Sequence, residues 1–391
     1  MKYLRFILPI IVIAQFCCTS IWFAGNAVMG DLVGNYGLPE NVLGHLTSAV
    51  QMGFIIGTLV FAILTIADRF SPSKVFFTSA FLASLCNLGI LLEVNSLLSI
   101  LLLRFFTGFF LAGIYPVGMK IAADYYDKGL GKSLGFLVGA LVLGTAFPHL
   151  AKELMAGHPW KFVLVLTSTL AVLGGFLMFL LVPNGPFREA GNGLELSAFI
   201  RVFRNRKFRS AAFGYFGHMW ELYAFWAFVP IILKTYSFSH SEAIFNIPLW
   251  SFLTIAMGGL ACVIGGYLAQ IAGTKRIALL ALLLSALCCL LSPWMFTLAS
   301  EGLFLAFLLF WGMVVVADSP LFSTLVAKNA MAEIQGTALT IVNCIGFSIT
   351  IISIQLLNHL YAITNPVYIY TILAFGPILG ILASFEKRNV T

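Results

Sequence analysis

The chain predicts an all-α integral membrane protein, with about twelve transmembrane helices in two pseudo-symmetric six-helix halves. Three observations support this. Long apolar stretches recur from Tyr3 to Phe385, and a hydrocarbon core roughly 30 Å thick needs about 20 such residues of helix. Of 391 residues 60% are hydrophobic and only 9% charged, whereas a soluble domain carries about 25% charged residues. Equivalent turns and prolines recur in the two halves of the chain.

The apolar runs place helices at 5–33, 42–67, 74–93, 97–124, 131–151, 160–183, 208–233, 243–270, 275–296, 302–327, 336–361 and 365–385. Short polar breaks separate them, among them Asp68–Ser73, Gly273–Arg276 and Lys328–Gln335. Lys2 and Arg5 before an apolar run imitate a secretion signal, but the run outlasts the 7–15 residues of a typical h-region. It is read as the first membrane helix. The single long hydrophilic segment, 184–207, carries Arg188, Arg201, Arg204, Arg206 and Lys207. It divides the chain into an N-terminal half (1–183) and a C-terminal half (208–391).

The net charge of +7 does not imply nucleic-acid binding, because the basic residues concentrate in loops on one side. With the N-terminus inside, that side collects Arg69, Lys74, Lys120, Lys128, Lys132, the central cluster, Lys275, Arg276, Lys328, Lys387 and Arg388. The other side has only Lys152, Lys161 and Lys234. The bias puts both termini in the cytoplasm. Compact loops suggest a bacterial inner membrane. The seven cysteines (17, 18, 86, 262, 288, 289 and 344) all lie in apolar segments. They read as small core residues, not as a disulfide framework or metal site.

An internal repeat is visible. Tight basic turns follow Asp68 and Gln270, 202 residues apart; Pro116 and Pro320 are 204 apart; Gly131 and Gly336, which open two helices, are 205 apart. Parallel halves of this kind are a transporter architecture, with the substrate site between them near the midplane.

The residues around these turns resemble the major facilitator superfamily over the whole chain. Its signature Gly-x-Leu-Ala-Asp-Arg-x-Gly-Arg-Lys is matched by Ala67, Asp68, Arg69 and Lys74, with Leu64 and Ser71 in place of both glycines. The second copy keeps Gly266, Leu268, Ala269, Gly273 and Lys275, with Gln270 for the acid. The resemblance implies a cytoplasmic gate at Asp68, Arg69 and Lys74. Arg104 four residues before Gly108 is similar to a second motif of the family, associated with proton coupling. Gly135, Gly139 and Gly144 match its antiporter motif only in part, because Ala140 stands where a proline belongs.

A charge at mid-bilayer costs at least ~2.5–3.5 kcal/mol on insertion scales, so each one needs a reason. Arg104 lies roughly 10 Å deep at 1.5 Å per residue; it pairs with an acid or anionic substrate, or anchors helix carbonyls. His218-Met219-Trp220-Glu221-Leu222-Tyr223-Ala224-Phe225-Trp226 is the densest polar cluster in any helix. His218 and Glu221, three apart, share a face. Glu221 is read as a proton carrier or as a ligand for a cation beside Trp220, Tyr223 or Trp226; the alternative is a locally bonded His–Glu pair. Two such ligands are too few for a metal. Asp318 precedes Pro320, which frees a backbone carbonyl one turn earlier, so it suits coupling or gating. Its alternative is a pair with a cytoplasmic base. Lys120 and Asp124 read as a helix-end ion pair, and His149 as an interfacial residue. Trp22, Asn26, Tyr115 and Asn343 are further candidates to line a cavity.

The function expected is secondary active transport of a small polar organic solute or ion by alternating access, with proton coupling through Glu221, Asp318 and Arg104. Uncoupled diffusion, or export of drugs or siderophores, is the alternative. No phosphate-binding loop and no catalytic cluster such as His-Glu-x-x-His occurs, so an enzyme is not expected. The expected partners are a small-molecule substrate, protons and the lipid bilayer, with no nucleic acid and no cofactor, in a monomer.

Overall fold

A computed structural model describes residues 4–39, 41–126, 130–188, 202–240, 245–298, 300–331 and 334–385. Most of segment 184–207, and the terminal Lys387 and Arg388, lie outside the described residues. Helices account for the architecture: α1 (Leu4–Thr19), α2 (Ala24–Ala27), α3 (Met29–Tyr36), α4 (Val42–Ile63), α5 (Ile66–Arg69), α6 (Pro72–Gly89), α7 (Leu97–Leu111), α8 (Tyr115–Tyr125), α9 (Leu130–Leu154) and α10 (Lys161–Leu181). After the central segment come α11 (Arg206–Ser239), α12 (Ile247–Ala272), α13 (Thr274–Thr297), α14 (Glu301–Ala317), α15 (Ser319–Asn329), α16 (Gln335–Ile363), a 3-10 turn (Ile369–Ala374) and α17 (Phe375–Ser384). Among the described residues nine spans are long and apolar enough to cross a membrane, counting α7–α8 and α14–α15 as one each.

Local chemistry sets many of the boundaries. Prolines 72, 116, 248 and 320 sit in the first turn of their helices, where a missing N–H costs nothing. Ser96 and Ser99 form a reciprocal capping box at the start of α7. Asn205 accepts from the backbone N–H groups of Lys207 and Phe208 at the start of α11. Gly273, at φ 92°, turns the chain directly from α12 into α13.

Four expected helices are broken. The first, expected over 5–33, stops at Thr19 and resumes as α2 and α3. The second, expected over 42–67, stops at Ile63 and resumes as α5 after Thr65. The fourth and tenth break just ahead of Pro116 and Pro320, because each ring excludes the carbonyl four residues back. At Pro320 that carbonyl belongs to Val316, and the Cys262 thiol donates to it at 3.3 Å. The last span, expected as one helix over 365–385, begins as a 3-10 turn. α11 runs six residues past its expected end at 233, with Pro230 accommodated inside.

α4 packs on α7, α6 on α10, and α1 on α9 and α10. Later in the chain, α11 packs on α16 and α17, and α12 on α14. Two main seams join the two groups, α9 against α12 and α4 against α16. Glycines permit the α4–α7 crossing. A Cβ on Gly53 would lie 1.8 Å from the Phe105 carbonyl oxygen, and one on Gly108 would lie 1.9 Å from that of Val50.

Candidate functional site

A cavity lies at one end of the α9–α12 seam, and hydrogen bonds tie the α4–α16 seam at the other. At the end carrying the basic turns, a cavity of about 440 Å³ lies between α9, α12 and α15. Gly135, Phe136, Cys262, Tyr267, Gln270, Thr324 and Lys328 are among its walls. Toward the centre a second chamber follows, lined by Tyr115 of α8, Val138 and Val142 of α9, Tyr215, Tyr223 and Trp226 of α11, Val316, Ser319 and Phe347. It holds only about 20 Å³, room for roughly one water molecule. The break between α14 and α15 lies between them: Val316 and Ser319 line the inner space, Pro320 and Leu321 the outer one. At the far end carboxamides tie α16 to the start of α4. Gln355 donates to the Gly44 carbonyl at 3.0 Å and to Ser48 Oγ at 2.8 Å, and Asn358 to the Asn41 carbonyl at 2.9 Å.

Packed aromatic rings close the centre. Trp22 stacks at 5.9 Å from Tyr223 and 6.0 Å from Phe347, and lies 4.9 Å from Phe54. Tyr223 meets Trp226 edge-on at 5.3 Å. Trp22 and Phe54 precede the central segment and the other three follow it, so the rings span both groups of helices. The indole Nε1 atoms of Trp22 and Trp226 are buried with no hydrogen-bond partner among the described residues.

The charged residues singled out in the sequence occupy three separate places. Arg104 is fully buried and faces the break after α1. It donates to the carbonyls of Ile21, at 3.3 Å, and of Trp22, and reaches Asn87 Oδ1 at 3.5 Å. The Ile21 carbonyl keeps only a 3.4 Å turn bond from the Ala24 N–H where α1 has ended, and the guanidinium fork adds donors to it and to the Trp22 carbonyl. Glu221 points between α11, α13 and α14. One of its oxygens accepts from Ser285 Oγ at 2.5 Å, Trp311 Nε1 at 2.7 Å and Cys289 Sγ at 3.2 Å. None of these four residues lines the chamber. His218 does not pair with Glu221. Its Nδ1 lies 2.8 Å from Asp318 Oδ1, with both side chains buried. This contact bridges α11 to the α14–α15 break; it is a close ionic approach outside hydrogen-bond alignment, and no polar side-chain atom of His218 or Asp318 has a hydrogen-bond partner among the described residues.

Of the candidate lining residues, Trp22, Tyr115, Tyr223 and Trp226 converge on the centre. Trp220 does not: it turns toward α17, donating to the Ile372 carbonyl at 3.1 Å and packing on Phe375. One residue along a helix is a rotation of about 100°, so Trp220 and Glu221 cannot share a wall. Asn26 donates to Thr47 at 2.8 Å and Asn343 accepts from Tyr215 at 2.9 Å. His149, expected at the interface, is buried at 3% exposure, because α1 and α12 both cover α9.

At the basic end Lys120 makes the expected helix-end pair with Asp124 at 3.8 Å and also bridges to Asp68 of α5 at 2.9 Å. Arg188 donates to the carbonyls of Asp68 and Phe70. Arg69 bonds Thr65 Oγ1 at 3.1 Å, and Lys74 is exposed. Thr65 itself adopts φ 50°, a left-handed conformation rare for a β-branched residue.

A family model described as the Major Facilitator Superfamily matches residues 11–354. The chain belongs to that superfamily. Its members are transporters and not enzymes, so this is a multi-pass membrane transporter. No curated protein matches it. Two of the solved structures that share the fold illustrate it. One is a bacterial homolog of the human lysosomal transporter Spinster, inward-facing and unoccupied: 14% identity, TM-score 0.73, covering 98% of this chain and 95% of that one. The other is the proton:xylose symporter XylE bound to 6-bromo-6-deoxy-D-glucose: 15% identity, TM-score 0.75, covering 97% and 95%. At such identities the likeness is one of fold.

The sequence did not single out Trp311, Ser285, Gln51, Gln355 or Asn358. Trp311 and Ser285 sit in runs that read as plain apolar helix. Gln51 is fully buried with its amide unpartnered among the described residues, and a polar residue inside so apolar a helix was a usable signal.

Proposed function

We propose that this transporter is a secondary active carrier that moves a small polar organic solute by alternating access and couples that movement to protons. Its two rocking units are residues 1–183 and 208–391, twelve helices in all, joined by a cytoplasmic linker at 184–207. The basic end faces the cytoplasm of a bacterial cell, with both termini inside, and the chain works as a monomer. The open cavity at the basic end and the carboxamide ties at the other then describe an inward-open state.

The observation that carries the coupling is the buried His218–Asp318 contact. An acid and an imidazole 2.8 Å apart can share or exchange a proton, and they sit on the hinge that divides the two spaces. Tyr215, Glu221 and Cys262 face the pair from α11 and α12. One proton turns the pair into an imidazolium facing a carboxylate and tightens it. A second, on Asp318, removes the carboxylate charge and weakens the link between α11 and the hinge, which frees α15 to move. Glu221 holds α13 and α14 to α11 during that motion, and Arg104 holds the first-helix break that presents Trp22. Asp68, Lys120, Asp124 and Arg188 stiffen the cytoplasmic end of the first unit.

The test is accumulation in proteoliposomes, screened over a solute library with an imposed pH gradient. Wild type should concentrate its substrate only while the gradient lasts. Asp318→Asn should exchange labelled for unlabelled substrate yet fail to concentrate it. Equal uptake with and without the gradient would make the protein an uncoupled facilitator.

A further inference from the structure

We propose that the inner chamber binds an uncharged, flat organic solute carrying a hydrogen-bond acceptor, gripped by aromatic faces and by the indole N–H of Trp226, which lines it. This rests on the transport reading above and names its substrate class.

The argument begins with charge. No Asp, Glu, Lys, Arg or His lines the chamber. Each charged side chain singled out at membrane depth is engaged elsewhere: Arg104 on the carbonyls of Ile21 and Trp22, Glu221 on Ser285, Cys289 and Trp311, and Asp318 on His218. A solute with net charge would enter a low-dielectric space with no counter-charge, which is strongly unfavourable. An uncharged one meets no such barrier.

The polar groups then set the pattern of the ligand. An indole N–H can only donate, and that of Trp226 is buried and unpartnered among the described residues while its side chain lines the chamber. Native structures seldom leave buried donors unmet, and an acceptor on a ligand in the chamber would meet this one. The surrounding surfaces are ring faces. Trp22 lies nearly parallel to Tyr223 and to Phe347, at 27° and 24°, an arrangement that favours a planar guest.

Room comes from the motion itself. At about 20 Å³ the chamber is shut in this state. Its rings come from both rocking units, so parting the units parts the rings. The cavity of about 440 Å³, within the usual range for small-molecule sites, leads to it along α15.

The experiment measures thermal unfolding of the full-length, detergent-purified protein at pH 7 with three probes of one skeleton: neutral indole-3-acetamide, anionic indole-3-acetate and cationic tryptamine. A ligand of the native state raises its stability by mass action. The acetamide should bind at least tenfold more tightly than either charged probe. Trp226→Phe keeps a ring and removes the N–H, and should weaken acetamide binding about tenfold, the size of one lost hydrogen bond. Trp22→Phe removes an N–H that is not among the chamber's walls; it should leave binding within a few-fold of wild type, and it guards against a general effect of trimming the ring cluster. A stronger shift with tryptamine would point to cation–π recognition and overturn the proposal. So would a stronger shift with indole-3-acetate, an undiminished shift in Trp226→Phe, or no shift with any probe. No proton gradient enters this assay. Intact acetamide binding without gradient-driven uptake would therefore sink the coupling reading alone.

Discussion

Removing the Glu221 carboxylate leaves two strong donors stranded in a dry interior. Ser285 Oγ and Trp311 Nε1 both point at one oxygen of Glu221, and Ser285, Trp311 and Glu221 are each 1% exposed. A buried polar group left unpaired costs about 1–3 kcal/mol, so Glu221→Ala should lose about 2–6 kcal/mol, before any contribution from the weaker Cys289 thiol. Glu221→Gln keeps an acceptor oxygen and nearly the same volume, and should cost under about 1.5 kcal/mol, as near-isosteric replacements do. The assay is reversible unfolding in bicelles titrated with SDS. At about 1.4 kcal/mol per tenfold, the alanine variant's folded-to-unfolded ratio falls by at least roughly 30-fold and the glutamine variant's by little more than tenfold. If alanine and glutamine unfold together, the three-donor grip on Glu221 does not hold these helices. A large loss in both would mean that the carboxylate charge, not its shape, does so.

Two further outcomes follow from the packing of the first unit. Arg104→Lys keeps a cation but cannot fork to the carbonyls of both Ile21 and Trp22; losing one charge-assisted bond should cost about 1.5–3 kcal/mol in the same titration, and wild-type stability would contradict the anchoring role. Gly108→Ala would set a methyl 1.9 Å from the Val50 carbonyl oxygen; overpacking of this kind costs about 1–3 kcal/mol or more, whereas Gly135→Ala, with nothing within 4 Å of its added methyl, should be silent.

Burial cost explains what the sequence made legible. Arg104, Glu221 and Asp318 stood out because a charge in lipid needs a reason, and all three prove buried and engaged. Pro116 and Pro320 served as markers of the repeat while their helices were expected unbroken over 97–124 and 302–327; the breaks lie just ahead of both prolines, where a missing N–H was a local signal. The partners were not local. His218 shares a helical face with Glu221, which suggested a pair, yet its contact is Asp318, a hundred residues on. The break after Thr19 has no proline. It persists because Arg104, from another helix, adds donors to the carbonyls of the turn, and no pattern within the first helix could announce that. Trp220 looked like a ligand residue because it neighbours Glu221 in sequence, but a helix turns its neighbours to different sides.

The most direct test of proton coupling needs no substrate. Spin labels on exposed Phe70 and Ile271 report the basic end, and labels on exposed Val94 and Phe238 report the other, with Cys86 and Cys344, the two cysteines not fully buried, replaced by serine. Distances between the labels should shift in opposite senses at the two ends as pH moves from 8 to 5, and Asp318→Asn should abolish both shifts. A variant that still shifts as wild type does would show that the His218–Asp318 contact does not carry the coupling proton.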